Sequence, residues 1–461
     1  MRVNPSSFRD PSGTVFTRNG QIYRSIFKSG VDDFNAAKAA DIYIRLVKKD
    51  LLLPFEEIDR PDFAAEDTVY CLSHPCLPMV SYPWEWPFSM LKDAALLHLD
   101  VMEDLIPKGF WLRDASAFNI QYWKNKLCLI DTLSIGRMPP EEPWIAYGQF
   151  CSHFIAPLAM AAHSDIRTLG LWRNYIDGFP LDLAANLLPL RRKYLSRLFM
   201  HLTLHARFQN TVDRKEKISN QKRQYQTKVS EKGRIGLIRS LRKTIQGISY
   251  HPASRIWMDY DAIRTYGSED ISQKREFVDR VIQHLRPEKV WDMGANTGEF
   301  SLIAAGRGAF VVSIDGDPCC TEFLYRKITE TGENNILPLT MDFTNPSPSL
   351  GWNASERMSI RERGPANLLL ALALIHHLVF SCCVPLSLIA QWFADLAEHL
   401  LVEFVPPEDP MVRRLSSNRK NEHHTYSIDK FQKSFGNFFH FIEQKILPNG
   451  RMLFLCRRKR N

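Results

Sequence analysis

The chain has no run of about eighteen apolar residues, so nothing in it reads as a membrane span. Its first residues, Met1-Arg2-Val3-Asn4-Pro5, form no hydrophobic signal segment, and a cytoplasmic protein is expected. The nine cysteines are odd in number and scattered. Cys319-Cys320 and Cys382-Cys383 are adjacent pairs, which suit neither a disulfide framework nor a zinc site. Reduced thiols and no metal centre are the expectation. No internal repeat or low-complexity stretch stands out, and the usual dinucleotide fingerprint G-x-G-x-x-G is missing. What remains is an ordinary globular composition, 45% apolar and 24% charged, over a length that suits two or three domains.

The net charge of +8 is concentrated. Between Arg191 and Lys243 stand sixteen basic residues and three acidic ones. Such a block reads as a solvated helix face and linker, or as a contact for nucleic acid or an anionic surface. Few aromatic residues are interleaved, which disfavours base stacking and hence nucleic acid. Around this block we divide the chain into an N-terminal α+β domain (1–204), rich in Trp and Pro as in Tyr82-Pro83-Trp84-Glu85-Trp86-Pro87, a basic and partly helical connector (205–255), and a C-terminal α/β domain (256–461).

The C-terminal region alternates apolar runs with helical periods. Strands are predicted at 289–292, 309–314, 335–341, 367–373 and 399–405, and helices near 299–307, 317–330, 384–398 and 427–435. Two closing strands, 438–445 and 451–457, flank Pro448-Asn449-Gly450. Alternation implies a parallel sheet with helices on both faces, and the final tight hairpin implies one antiparallel edge strand.

Within it, Val290-Trp291-Asp292-Met293-Gly294-Ala295-Asn296-Thr297-Gly298-Glu299 reads as buried strand, glycine turn and helix start, a unit that brings backbone close to a nucleotide-like cofactor. About seventeen residues past Gly298 the next apolar run ends in Asp315, near the offset of a ribose-binding carboxylate. The spacing is D-x-G-x-N-x-G, with Asn296 where a second glycine would admit a pyrophosphate. A carboxylate just before the turn repels phosphate and pairs with an amino group. That charge logic favours S-adenosyl-L-methionine, which carries an amino acid moiety and a cationic sulfonium, over a nicotinamide dinucleotide.

These motifs, in this order, resemble the class I S-adenosylmethionine-dependent methyltransferases. The resemblance implies a Rossmann-like seven-stranded sheet with a reversed last strand and cofactor over the carboxyl ends of the first strands. It implies that Asp292, Gly294, Asn296 and Gly298 form the first cofactor motif, Asp292 orienting the methionine amino group. Asp315 would take the ribose hydroxyls, Asp342 the adenine amino group, and Phe343 would pack on the ring. His376 and His377 follow the fourth strand, where the transferred methyl lies, and are candidate general bases whose side chains diverge if the strand continues through them. Asn367 replaces an acidic residue frequent in these enzymes. Glu403, ending the fifth strand, is a second candidate for substrate contact. The details Asn345-Pro346-Ser347-Pro348-Ser349-Leu350-Gly351-Trp352, Ala371-Leu372-Ala373-Leu374-Ile375-His376-His377-Leu378 and Glu403-Phe404-Val405-Pro406 resemble a bacterial subgroup tied to host-specific root nodulation by rhizobia.

Arg113-Asp114-Ala115-Ser116-Ala117-Phe118-Asn119, followed by Leu129-Ile130-Asp131, resembles the catalytic and metal-binding loops of protein-kinase-like folds. The resemblance implies Asp114 as base and Asn119 and Asp131 as magnesium ligands. Thr132-Leu133 stand where Phe-Gly belongs, no glycine-rich phosphate loop is evident, and no lysine stands in a V-A-I-K-like strand. A degenerate kinase-like domain without phosphotransfer is therefore expected; the alternative is a turn whose Asp and Asn side chains cap backbone groups. The whole reads as a methyltransferase acting on oxygen or nitrogen of a small molecule, glycan or lipo-oligosaccharide. RNA or protein methylation, and a non-catalytic cofactor-binding regulator with a kinase-like adaptor, are the competing readings.

Overall fold

A computed structural model of the chain describes residues 2–194, 197–205, 228–252, 267–333, 335–416 and 426–460. It divides into two compact units, Met1–His251 with Leu350–Arg357, and Pro252–Ser349 with Met358–Asn461. Among the described residues no helix is long and apolar enough to cross a membrane.

In the first unit, strands β1 (Arg2–Val3), β2 (Gly13–Arg18), β3 (Gln21–Phe27), β4 (Glu56–Ile58) and β5 (Thr68–His74) form an antiparallel sheet in the order β1-β2-β3-β5-β4. Asn19 and Gly20 close the β2–β3 hairpin with φ of 52° and 79°. Two-residue hairpin turns need that left-handed pair, and Asn-Gly supplies it with little strain. The Phe88–Leu105 helix buries one broad face, Met90, Leu91, Ala94, Ala95, His98, Leu99 and Met102 among them, and so packs against a core. After it come two short ladders, β6 (Phe110–Leu112) with β9 (Ile135–Arg137) and β7 (Ile120–Trp123) with β8 (Lys126–Leu129). This is the α+β architecture expected for the N-terminal domain.

Two boundaries differ from expectation. The part of the basic connector that is described is no linker. The Glu231–Gly247 helix buries Ile238, Leu241 and Ile245, an i, i+3, i+7 stripe, and packs on the Phe88–Leu105 helix. Arg242 donates to Asp100 Oδ1 at 2.6 Å and Glu103 Oε1 at 3.0 Å, and buried Arg234 donates to the carbonyls of Pro139 and Glu142. A charge count hides this, because the apolar stripe recurs only once per turn. Residues 206–227 and 253–255 of the expected connector lie outside the described residues. Leu350–Arg357, expected in the C-terminal domain, belongs to the first unit. There Arg9 Nε donates to Glu356 Oε1 at 2.5 Å, and the Arg357 guanidinium lies 4.1 Å from the centre of the Phe118 ring.

The second unit holds a seven-stranded sheet of β10 (Lys289–Met293), β11 (Phe310–Asp315), β12 (Ile336–Thr340), β13 (Ala366–Ala371), β14 (Ala397–Phe404), β15 (Phe439–Ile446) and β16 (Met452–Arg458). Their order is β12-β11-β10-β13-β14-β16-β15. The first five are parallel, and β16 is antiparallel to both neighbours. The reversed strand is thus not at the edge, as read from the sequence, but inserted between β14 and β15. The physical reason is burial. Leu453, Phe454, Leu455 and Cys456 are covered on both faces, as an interior strand must be, whereas most of β15 is exposed. A hairpin turn makes two strands neighbours without deciding which lies outside.

Helices Ser268–Leu285, Glu299–Gly306 and Pro318–Thr331 join one core cluster with the sheet through Phe277, Val278, Val281, Ala304, Leu324 and Ile328. Leu386–Leu396 and Ile428–Gly436 pack elsewhere on it, with Phe431 5.2 Å from Phe454, centre to centre. Predicted and observed strands agree within a residue or two, except that β13 stops at Ala371.

Candidate active site

The first strand pair positions the turn. Met293 of β10 lies beside Ile314 of β11, so Gly294–Gly298 and Asp315 emerge at the same end of the sheet. Gly294, Asn296 and Gly298 take φ of 78°, 50° and 84°. At Gly298 a Cβ would also lie 2.5 Å from Leu324 Cδ1, so the missing side chain lets the Pro318–Thr331 helix pack close to the turn. Asparagine tolerates the left-handed region better than most residues, which suits Asn296.

Asp315 joins the two turns. Its Oδ2 accepts the N–H of Asn296 at 2.8 Å and its Oδ1 the N–H of Asp317 at 2.8 Å. Burial raises its pKa to about 6 even though these backbone donors act to lower it. Asp292 is 2% exposed and accepts from Ser301 Oγ at 2.7 Å. Burial raises its pKa too, to about 6, with the Asp315 charge adding to the rise. Its carboxylate is therefore enclosed beneath the turn and already bonded from the helix. Asp342 follows β12, exposed, with Oδ1 accepting from Thr344 N and Oγ1 at 2.8 and 2.7 Å. Half-buried Phe343 has its ring centre 6.3 Å from that of Trp392.

The histidine pair requires a correction. The chain leaves β13, passes Ala373 at φ 54° and enters the Ile375–Phe380 helix. His376 and His377 thus sit on a helical turn, with ring centres 4.3 Å apart, and do not point to opposite sides of a strand. The Leu-Leu-Leu-Ala-Leu-Ala-Leu run looked like continuous strand because apolar content alone does not mark where a buried strand turns into a buried helix. The loop lies close to the glycine turn: a Cβ on Gly294 would meet Leu374 Cδ1 at 3.4 Å. His376 is 1% exposed, and neither ring nitrogen has a hydrogen-bond partner among the described residues. Burial, then His377 and two cations, hold its pKa well below the ordinary value. His377 is half-buried, and burial and Arg451 lower its pKa.

Glu403 ends β14 fully buried. It accepts from Lys274 Nζ at 2.6 Å and Arg451 NH1 at 3.4 Å, and Arg451 Nε donates to Asp409 Oδ2 at 2.8 Å. Lys274 also lies 4.9 Å from the centre of the Phe300 ring. Glu403 is therefore committed to two cations rather than presented to a substrate. Sequence reading missed Lys274, Arg451 and Asp409. The signal for Lys274 was present: it stands three, four and seven residues before Phe277, Val278 and Val281, on the buried stripe of its helix.

In the first unit the structure brings Asp114, Asn119 and Asp131 toward one end of the β7–β8 hairpin. Ile130 N donates to Asn119 O at 2.8 Å across the register Ile120–Leu129. Asp114 Oδ1 accepts from Ser116 N at 2.8 Å and Gln149 Nε2 at 2.6 Å, and burial and the Asp131 charge raise its pKa. Asp131 has a cationic partner. Arg24, in the middle of β3, pairs with Asp131 Oδ1 at 2.9 Å and with Asp10 Oδ2 at 2.5 Å. Among the described residues no group of three or more His, Cys, Asp or Glu could hold a metal ion.

Strand order and glycine turn together define the second unit as a class I methyltransferase-type fold. Over 449 residues the chain is 31% identical to the nodulation protein NoeA of Rhizobium meliloti (strain 1021), covering 96% of this chain and 94% of that protein. The chain belongs to the NoeA family. No family model matches it. Among solved structures, magnesium protoporphyrin IX methyltransferase (ChlM) from Synechocystis PCC 6803 with bound SAH is similar at 18% identity, covering 45% of this chain and 95% of that one, TM-score 0.32. N-methyltransferase NodS from Bradyrhizobium japonicum WM9 is similar at 9% identity, covering 42% and 98%, TM-score 0.31. The bifunctional kinase-methyltransferase WbdD is similar at 18% identity, covering 45% and 42%, TM-score 0.30.

The buried ion cluster makes one prediction. Glu403→Ala leaves Lys274 and Arg451 charged, buried and short of a partner, and should destabilise the fold by about 3–5 kcal/mol. Urea unfolding of the full chain measures it. A loss below about 1 kcal/mol, the range of exposed pairs, would show that water reaches the cluster.

Proposed function

We propose that the second unit binds S-adenosyl-L-methionine and transfers its methyl group to an oxygen or nitrogen of a small molecule, with a glycan or lipo-oligosaccharide as the acceptor class, in host-specific nodulation. The observation that carries this reading is Asp315, an acceptor at the end of β11 whose oxygens organise the turn after β10. The residues suit this cofactor. A carboxylate with spare lone pairs fits two ribose hydroxyls, and a turn opened by Gly294 and Gly298 leaves room for backbone approach. Two carboxylates, Asp292 and Asp315, and no facing cation in the turn disfavour a pyrophosphate. Bound there, the cofactor would supply an electrophilic methyl on a cationic sulfonium, and the protein's share of the chemistry is orientation and a base.

His377 is the base we assign. It is half-buried and near the glycine turn, so an acceptor can reach it, whereas His376 is sealed. Neutral imidazole is the form that takes the acceptor's proton, and burial and Arg451 keep His377 neutral at physiological pH. Lys274 and Arg451 keep Glu403 in place and hold positive charge behind the histidines. Within the basic segment Arg234 and Arg242 are bonded inside the first unit, and the scarcity of interleaved aromatic residues disfavours base stacking on RNA. For that unit we propose a kinase-like scaffold without phosphotransfer, because Arg24 neutralises the carboxylate that would hold magnesium.

Three outcomes follow from this reading. Calorimetry should show binding of S-adenosylmethionine and none of NAD, with affinity at least about tenfold lower in Asp315→Ala, the loss of one or more bonds to a charged acceptor. Ribose hydroxyls bond the ionised carboxylate, so binding should release protons near pH 6, and affinity should fall as pH drops through about 6. Unchanged affinity in the variant would remove Asp315 from the site.

His377→Ala should lower turnover on an identified acceptor by roughly 10²–10⁴-fold with cofactor affinity little changed. The wild-type rate should decline only below the ordinary histidine pKa, since the shift is downward. Equal loss of cofactor binding would make the residue structural.

The full chain should show no magnesium-dependent ATP turnover in a phosphate-release assay. Turnover that Asp131→Ala abolishes would overturn the scaffold reading.

A further inference from the structure

Strand β15 is the outer edge of the seven-stranded sheet, paired along one side with β16. An edge strand offers its outward N–H and C=O groups to any second strand, and proteins usually blunt it with charge, proline or cover. Here Ile442 and Ile446 are 53% and 59% exposed, and Phe441 is exposed beside them. Between them Glu443 and Lys445 flank Gln444. Three large apolar side chains on one edge, interleaved with one charge of each sign, form a pattern that is complementary to itself.

We propose that β15 pairs antiparallel with β15 of a second copy, about a two-fold axis through Gln444, so that the sheet runs on across a homodimer. A two-fold axis normal to a sheet keeps each side chain on its own face. Only residues of matching pleat can then lie opposite, which leaves few registers. An axis through Glu443 sets two glutamates against each other, and one through Lys445 sets two lysines; like charges directly opposite disfavour both. The axis through Gln444 sets Glu443 against Lys445 of the second copy twice, and brings Ile446 alongside Ile442 of the second copy. Glu443 already binds Arg280 at 2.7 Å through Oε1, and a carboxylate has a second oxygen for the lysine. The register irregularity between Phe441 and Glu443 falls at Ile442 and confines regular pairing about the axis to Glu443–Lys445. The interface is therefore small, and the dimer it makes is weak and concentration-dependent. This inference stands apart from the methyl-transfer reading.

Sedimentation velocity on the full chain tests it. Wild-type protein should pass from monomer to dimer as concentration rises. Glu443→Lys and Lys445→Glu should each weaken self-association by at least about tenfold through two like-charge pairs. Mixed in equal amounts, the two variants should form a heterodimer, and the double exchange should restore the wild-type constant. That rescue separates a matched interface from a variant that folds poorly. The proposal fails if the wild-type chain stays monomeric up to about 0.5 mM, if both single variants dimerise as the wild type does, or if the mixture does not associate.

Discussion

One carboxylate holds the functional end of the second unit together. Asp315 accepts the Asn296 and Asp317 backbone donors, and so ties the turn after β10 to the turn after β11. The strand order makes that location special. From β10 the sheet grows through β11 and β12 on one side and through β13 and β14 on the other, so the loops after β10 and β13 part at a topological switch point. Open α/β sheets bind ligands in that crevice. The glycine turn lies beside the loop after β13, close enough that a Cβ on Gly294 would touch Leu374. A half-buried carboxylate with its pKa raised pays for its desolvation. Desolvation then favours any partner that brings donors to it, which suits the cofactor-binding role proposed for Asp315.

Charge at the carboxyl ends of β13 and β14 is arranged around neutral histidines. Lys274, Arg451, Glu403 and Asp409 form a linked set of two cations and two anions. Such a set adds little net stability compared with apolar packing, and removing one member is severe. Its effect on the site is electrostatic. Both cations lower the pKa of His376, and Arg451 lowers that of His377, so neither ring charges readily. Glu403 read as a site residue because it ends a strand at the functional face. It serves there by fixing cations rather than by meeting substrate.

How much of this was legible depended on what each signal measures. The strands of the second unit were readable because buried parallel strands are short apolar runs bounded by turns, and the cofactor turn because glycine and asparagine stand where φ is positive. The turn from β13 into the His376–His377 helix was not, since both elements are apolar. The place of β16 inside the sheet was legible in principle: Leu453–Cys456 is continuously apolar, whereas Phe439–Ile446 is broken by His440, Glu443, Gln444 and Lys445. Lys274 was visible only as a charge on a buried helical stripe. Leu350–Arg357 had no local signal at all. Glu356 and Arg357 find their partners, Arg9 and Phe118, at sequence separations that no periodicity spans.

Arg24 shows the same point in reverse: the kinase-like resemblance implies a lysine, and an arginine pairs with Asp131. A guanidinium does not lose its proton in proteins, and it offers carboxylates a fixed fork of donors. Held between Asp10 and Asp131, it satisfies both carboxylates permanently. A divalent cation in its place would bring two charges and exchangeable positions for phosphate oxygens; arginine brings one charge and none. Arg24 thus makes the Asp131 carboxylate stable without a ligand, and on that pairing rests the proposal that the first unit is a scaffold without phosphoryl transfer.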